Sequence, residues 1–435
     1  MRGRHVGRGL RGGLRALLLV LLAFEISGCS TVTPVIRPIL GTEKQQEFKW
    51  NSPFTISDPD FRRSAEALGN EMVDGNSARL VLNGDEIFPA MTRDIRAAKK
   101  SVNLETYIFQ PDRAGRQFAD AMIAAAKNGV EVRLLVDGWG SKFKELKKEF
   151  DAAGVIAKKY RPLNLFTLHK IGKRTHRKIL VVDGRICYTG GLGIEERWLG
   201  NARNTNEWRD TQVRAEGPVA AQMQAIFGED WTYTTGEILA GEKFYPKIEP
   251  AGKVLAHAIK ASRGDSTSLA KMLYFVAIES AAKSLLIQNA YFLPDKQVRA
   301  ALVEAEKRGV DVQIMVPGRH IDLPMVRAAS WKKYGELLQG GVRIWEFTPT
   351  MLHNKTMVVD GLYSTIGSIN FSERSMSKNA EDSLGVYDRD FGREMEAMFE
   401  KDRVRCEEIT YEKWKKRGLT KRLSEFVFFW FEEYY

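Results

Sequence analysis

The chain repeats itself, and a duplication of this size restricts the fold more than any single motif can. Leu104-Glu105-Thr106-Tyr107-Ile108-Phe109-Gln110-Pro111-Asp112 aligns without gaps on Ile287-Gln288-Asn289-Ala290-Tyr291-Phe292-Leu293-Pro294-Asp295, and an Ala-Ala-Lys stretch precedes each. A helical run of Ala, Lys and Glu follows each copy and leads into Gly129-Val130-Glu131-Val132 or Gly309-Val310-Asp311-Val312. The order is strand, helix, glycine turn, strand, twice over. A third correspondence is His176-Arg177-Lys178-Ile179-Leu180-Val181-Val182-Asp183 with His353-Asn354-Lys355-Thr356-Met357-Val358-Val359-Asp360, which share His-x-Lys-x-x-x-x-Asp. Two α/β halves with one His-Lys unit apiece predict two similar lobes, each a mixed sheet flanked by helices. Their matching strands should meet and bring both units into one cleft.

Side chains alternate along an extended strand, so His176 and Lys178 share a face while Asp183 points to the other. The same parity separates Asp360 from His353 and Lys355. Neither motif Asp is therefore expected to orient its own histidine; securing a turn or a backbone contact suits it better. An imidazole acting as nucleophile or acid still needs a carboxylate on its second nitrogen to fix the tautomer. Asp210 and Glu381, each opening a new apolar stretch, are the candidates for this supporting role. Two histidines in one cleft divide the work of phosphodiester exchange: one attacks phosphorus, while the other protonates the leaving alcohol and deprotonates the incoming one. Lys178 and Lys355 neutralise the phosphate oxygens. This scheme calls for no metal and no cofactor, and the scattered histidines show no metal-ligand spacing. Ser368 and Asn370, in the glycine turn after the second motif, are candidate phosphate donors. Their first-half counterparts are Gly191 and Gly193, which leaves that contact to backbone N–H groups.

With these residues in view, the chain resembles the phospholipase D superfamily and its paired HKD motifs, His176, Lys178, Asp183 and His353, Lys355, Asp360. The likeness runs from about Asn83 to about Glu400. The neighbourhoods Thr189-Gly190-Gly191, Trp208-Arg209-Asp210 and Gln288-x-x-Tyr291-Phe292-x-Pro294 are similar to the bacterial cardiolipin synthase branch. The resemblance implies a duplicated phospholipase D-like fold and a phosphatidyltransferase acting on phospholipid, phosphatidylglycerol above all, through a phosphohistidine. The family's usual order makes His176 the nucleophile. Hydrolysis with water as acceptor, a nuclease of the same superfamily and a non-catalytic lipid-binding envelope protein stay open as alternatives, although nucleic acid is not an expected partner.

Composition sets the outer bounds. A 435-residue chain that is 44% hydrophobic and 28% charged is not disordered and has room for two or three domains. Residues 1–28 read as a signal peptide: five arginines, an apolar run from Ala16 to Phe24, then Ile26-Ser27-Gly28-Cys29. That last string resembles the lipobox of bacterial lipoproteins and makes Cys29 the expected lipidation site. Removing the segment takes away five Arg and one Glu and lowers the net charge from +11 to +7, so the basic excess belongs to the mature chain. Residues 29–53 are expected as a tether, 54–245 as the first lobe, 246–405 as the second and 406–435 as a tail. The tail runs from Lys413, Lys415, Lys416, Arg417, Lys421 and Arg422 into seven aromatic residues between Phe426 and Tyr435. That order suits an anionic lipid surface, and equally a helix that completes the core. The expected location is the bacterial envelope, lipid-anchored and facing the periplasm or exterior. In a double-membraned cell it is the outer membrane, because Ser30 takes the place of a retaining Asp. Arg319, His320 and Asp322 follow a strand end within reach of a headgroup, His169 is a loop residue, and Cys187 and Cys406 have no expected chemistry.

Overall fold

A computed structural model describes residues 48, 50–162, 174–261 and 268–429. The signal segment, Cys29, most of the tether, His169 and the aromatic residues from Trp430 onward lie outside the described residues.

Fifteen strands form one sheet. The first half supplies β1 (Val73–Leu82), β2 (Ser101–Thr106), β3 (Glu131–Asp137), β4 (Ile156–Tyr160), β5 (Ile179–Val182), β6 (Ile186–Gly190) and β7 (Thr211–Glu216). The second supplies β8 (Val254–Ala261), β9 (Ser284–Asn289), β10 (Asp311–Pro317), β11 (Arg343–Phe347), β12 (Lys355–Val359), β13 (Tyr363–Gly367), β14 (Glu381–Tyr387) and β15 (Cys406–Ile409). Their order is β15-β11-β10-β9-β12-β13-β14-β8-β1-β7-β6-β5-β2-β3-β4, a palindrome of matching strands about the β8–β1 junction with β15 added at one edge. In each half three strands run parallel and the others pair antiparallel, so both sheets are mixed.

The helices are α1 (Pro59–Leu68), α2 (Asn83–Ala97), α3 (Arg113–Lys127), α4 (Lys147–Ala153), α5 (Val219–Thr235), α6 (Leu269–Glu279), α7 (Lys296–Lys307), α8 (Pro324–Gln339), α9 (Arg389–Arg403), α10 (Tyr411–Lys415) and α11 (Leu419–Phe429). The repeated Pro-Asp string begins the crossovers that parallel strands require. Asp112 caps α3 by accepting from Ala114 N and Gly115 N, and Asp295 caps α7 by accepting from Val298 N. Gly129 (φ +83°) and Gly309 (φ +90°) then turn the chain in the left-handed region before β3 and β10.

Three apolar clusters fill the layers. One packs α2 and α3 on the outer face of the first half, and another packs α6, α7 and α8 on the second. The third joins the halves: Leu135, Ile179 and Val213 meet Leu286, Val358 and Leu384, with Phe227 and Trp231 of α5 and Met395 and Phe399 of α9 around them. Burial of this shared layer is what brings the two halves into register.

The expected lobe boundaries need two corrections. Ile56, Phe61 and Ala65 of the α1 region pack against α6 in the core of the second half, not the first. Phe48, at the end of the expected tether, sits edge-on against Phe275 in the same place, with ring centroids 5.0 Å apart. The expected tail is also integral to the second half. Its first residues form β15, antiparallel to β11, and Trp414 Nε1 donates to Trp331 O on α8 at 2.7 Å. Phe426 is exposed on α11. No described helix is long and apolar enough to cross a membrane.

Candidate active site

The two His-x-Lys units meet, and the backbone explains how. Just before β5, His176 N donates to Ala380 O at 2.8 Å and Ala380 N donates to Arg174 O at 3.0 Å. The second half repeats the device: Arg209 N donates to Met351 O and His353 N donates to Arg209 O, at 2.9 and 2.7 Å. Each histidine lead is thus bridged to the segment that opens the other half's carboxylate strand. The carboxylates are consequently exchanged. His176 Nδ1 lies 2.7 Å from Glu381 Oε2, and His353 Nδ1 lies 2.8 Å from Asp210 Oδ2. Both supporting acids foreseen in the sequence are present, each serving the histidine of the opposite half.

The acids are themselves anchored. Asp210 accepts from Trp198 Nε1 and Thr211 N at 2.8 Å each, while Glu381 Oε1 accepts from Ser375 Oγ at 2.5 Å. Burial pushes both carboxyls up, but the paired histidines and nearby lysines outweigh it and hold both below their ordinary values. They are ionised and fix each imidazole with its proton on Nδ1, and Nε2 of His353 then accepts from Lys355 Nζ at 3.0 Å. Burial lowers His176 to about 4 and His353 to about 3, against the upward pull of Glu381 and Asp210. Lys178 and Lys355 each donate to the carbonyl of their own histidine at 2.7 Å. Burial brings them to about 8 and about 7. The empty cleft therefore holds two neutral imidazoles beside two ammonium groups that release protons readily, a constellation that gains from the arrival of an anion.

His176, Lys178 and His353 line a cavity of about 490 Å³ together with Tyr107, Arg174, Trp198, Trp208, Tyr291, Asp322, Asn370 and Arg374. Asn370 lines the cavity, with its Oδ1 buried and unbonded. Ser368 is not a phosphate ligand. Its hydroxyl is fully buried and bonded to Asp382, donating to the carbonyl and accepting from Asp382 N at 3.0 Å. Asp183 and Asp360, which the resemblance to paired HKD motifs counts among the catalytic residues, do not line the cleft, which corrects that expectation. Asp183 accepts from the N–H groups of Lys99, Lys100 and Ser101, and Asp360 from those of Ala282, Lys283 and Ser284. At φ +54° and +53° each opens a two-residue Asp-Gly hairpin, so the motif Asp sets the turn and ties it to the neighbouring strand, as strand parity required.

The missing side chains of the first half have a steric cause. A Cβ on Gly191 would lie 2.3 Å from Asp210 Oδ1 and 2.6 Å from His353 O, and one on Gly193 would lie 2.8 Å from the Trp198 ring. Trp198 fills the space opposite Asn370. Tyr107, Arg174 and Arg374 were missed by sequence reasoning. Tyr107 carried a signal, since it stands in the repeated string that ends β2; the two arginines carried none. His320 is at the surface and accepts from Arg319 Nε at 3.1 Å. Burial pushes the Cys187 and Cys406 thiols up to about 12, which makes them inert at neutral pH.

The family described as "Cardiolipin synthase, PLD-like domain" matches residues 91–231 and 274–403, one segment for each half of this cleft. The chain belongs to that family. It is 35% identical to the cardiolipin synthase of a Geobacillus strain over 83% of this chain and 73% of the relative. It is 32% identical to cardiolipin synthase A of Yersinia pseudotuberculosis over 88% and 80%. A probable cardiolipin synthase of Bacillus subtilis, YwiE, is 32% identical over 80% and 70%. Among solved structures, the phosphatidylserine synthase of Haemophilus influenzae superposes with a TM-score of 0.66 at 16% identity, over 86% of this chain and all of that one, and so shares the fold. The family is one of phosphatidyltransferases, and in this chain the duplicated sheet is the frame that holds the crossed His–carboxylate pairs.

Proposed function

We propose that the chain makes cardiolipin by moving a phosphatidyl group from one phosphatidylglycerol, through a phosphohistidine, to the glycerol hydroxyl of another. The observation that carries this reading is the pair of imidazoles, each locked by an ionised carboxylate from the opposite half. His176, with Nδ1–H donated to Glu381, presents its Nε2 lone pair to phosphorus. As the P–O bond to glycerol breaks, His353 supplies the proton, and Asp210 stabilises the imidazolium that this step requires. His353 is neutral in the empty cleft, and a phosphate monoanion seated between Lys178 and Lys355 offsets their charge and raises its proton affinity. In the second half-reaction the N–P bond breaks, the acceptor oxygen bonds phosphorus, and its proton passes to His353. His176 takes the nucleophile role because its imidazole is the more open of the two, 14% exposed against 6% for His353. The membrane attachment also belongs to this proposal: acylation of Cys29 would hold the enzyme at the envelope surface, where its substrate lies.

The test is product analysis with the full chain in phosphatidylglycerol vesicles. Cardiolipin and free glycerol are expected, with a phosphatidylated peptide at His176 after denaturation at neutral to mildly alkaline pH, because the N–P bond is acid-labile. His176→Ala and His353→Ala should each lose at least about a thousandfold in turnover, in line with nucleophile and acid deletions elsewhere. Cardiolipin made at near-normal rate by either variant would refute the reading, and so would a product limited to phosphatidate.

A further inference from the structure

The two walls of the cleft carry opposite chemistry. The charges of Arg374 and Arg174 act on Tyr107, whose ring centroid lies 5.2 Å from that of His176, while Tyr291 and Asp322 line the same cavity as His353. Tyr291 Oη donates to the Asp322 carboxylate at 2.8 and 2.9 Å. The Tyr291 ring lies edge-on to the His353 imidazole, with centroids 6.3 Å apart. Asp322 lies between β10 and α8, at the exposed end of the cavity, and its charge reaches Lys355. Among the described residues lining this cavity it is the one carboxylate, in company with Arg174, Lys178 and Arg374. A negative charge there opposes the binding of an anionic phosphate, so phosphate recognition does not explain its position.

We propose that Tyr291 and Asp322 form the alcohol site, which holds a second hydroxyl of a polyol headgroup while the first reacts at His353. The inference rests on the phosphatidyltransferase reading above and assigns where the alcohol sits. Leaving and attacking alcohols both exchange a proton with the same histidine on the side of phosphorus away from the nucleophile, so one site serves both half-reactions. A glycerol headgroup offers a neighbouring hydroxyl that donates to the Asp322 carboxylate, a charge-assisted bond. Tyr291 has committed its own proton to Asp322 and keeps that carboxylate aimed into the cavity. Water has no second hydroxyl and is not held. The pair therefore selects transfer over hydrolysis: the N–P bond of the phosphohistidine breaks toward the oxygen of a seated diol, whose proton goes to His353 Nε2.

The experiment measures how the phosphoenzyme partitions. The full-length enzyme and its Asp322→Asn and Tyr291→Phe variants are given phosphatidylglycerol vesicles, and the initial ratio of cardiolipin to phosphatidate is read. Propane-1,2-diol and propan-1-ol then compete as soluble acceptors. Asp322→Asn keeps an acceptor for Tyr291 but loses the charge. Its transfer-to-hydrolysis ratio and its preference for the diol should each fall by roughly tenfold or more, the worth of one hydrogen bond to a charged group. Tyr291→Phe should move both ratios in the same direction. Because both products come from one intermediate, a pair that merely braces the loop would lower total turnover and leave the ratios alone. Unchanged ratios in active variants overturn the inference and spare the proposed function. A wild-type enzyme that makes neither product overturns both.

Discussion

In the first half, the buried acids Glu105 and Asp230 are balanced by Arg177, which lies between His176 and Lys178 and reaches Asp230 at 3.1 Å. At the matching place in the second half stand Gln288 and Asp402, and the residue between His353 and Lys355 is Asn354. Asp402 takes its cation from across the molecule: Arg209, of the first half, lies 2.8 Å from it, and Gln288 Nε2 donates to it at 2.9 Å. Duplication preserved the backbone and the His-Lys pair but moved a counter-charge over the boundary. The second half depends on the first for its charge balance as well as for the carboxylate on His353. The halves are thus interlocked catalytic parts, and substitutions that make one resemble the other show which differences matter.

The largest effect is expected from Gly191→Ser, which gives the first half the residue that Ser368 supplies in the second. The added Cβ falls on Asp210 and on the His353 carbonyl. Displacing the carboxylate that fixes an imidazole tautomer costs about 10⁴-fold in comparable triads, so turnover should fall by about 10³ to 10⁴. The reverse change, Ser368→Gly, removes hydrogen bonds to Asp382 and should cost about 1 kcal/mol of stability with turnover within about tenfold. Equal effects of the two substitutions, measured by steady-state rates and urea unfolding, would contradict the steric origin of the asymmetry.

Next in size is Arg209→Ala, which strands Asp402 in the core. Breaking a buried ion pair by removing one partner costs about 3–5 kcal/mol, readable as a lower urea midpoint. Asp402→Asn added to that variant should recover part of the loss, because the unpaired charge is gone. Failure to recover would mean that Arg209 acts through its bonds to Asn83, Thr211 and the Asp210 carbonyl, at 2.6–3.3 Å, instead of through charge.

The sequence made the His-Lys pairs legible because strand parity and a repeat are local patterns; parity also set Asp183 and Asp360 on the other face from their histidines, while the motif resemblance still counted them as catalytic. It could not tell which histidine Asp210 and Glu381 would serve. That depends on backbone bridges between Thr175 and Ala380 and between Arg209 and Leu352, segments far apart in the chain. Ser368 was misread for a related reason: its hydroxyl is taken by Asp382, a neighbour on β14 that no spacing rule connects to it. The α1 region was assigned to the nearer lobe because its apolar spacing fits either core, and only the packing against α6 decides. Arg174 and Arg374 reach the cleft from irregular segments, where no periodicity points inward.

A smaller contrast lies in the lysines. Burial lowers both, but Lys178 has Glu381, Asp382 and Asp210 near it, whereas Lys355 also faces the charge of Lys178, which fits about 8 against about 7. A lysine is charged below its pKa, so phosphate binding needs the acidic side of both. The kcat/KM profile, which reports the free enzyme, should fall more steeply on its alkaline side as pH rises through about 7 and then about 8, where the two lysines lose their charge. Each lost charge steepens the decline by about tenfold per pH unit, or about 1.4 kcal/mol. Lys355→Arg, charged throughout, should carry the onset of decline upward; an onset that stays at about 7 would assign it to another group.

The smallest effect is expected from Glu105→Gln, which copies Gln288 into the first half. Burial, and then the charge of Asp230, pushes the Glu105 carboxyl well above its ordinary value, although Arg177 and Thr175 pull the other way. Glu105 is thus biased toward its protonated form, in which it can accept from Thr175 Oγ1 while offering its own hydrogen toward Asp230. A glutamine amide makes the same pair of contacts, as Gln288 does when it accepts from Asn354 Nδ2 at 2.8 Å and donates to Asp402. The substitution removes no charge and little volume, so stability at neutral pH should change by less than about 1 kcal/mol. The alkaline side discriminates further. A carboxyl whose folded pKa is raised destabilises the fold once pH passes its ordinary value, and that cost grows until pH reaches the folded pKa. Glu105→Gln abolishes this dependence, so the variant should gain on the wild type as pH rises from about 5 toward neutrality. A constant difference between the two chains across that range would mean that Glu105 is ionised, and that the two halves hold their buried acids in different protonation states.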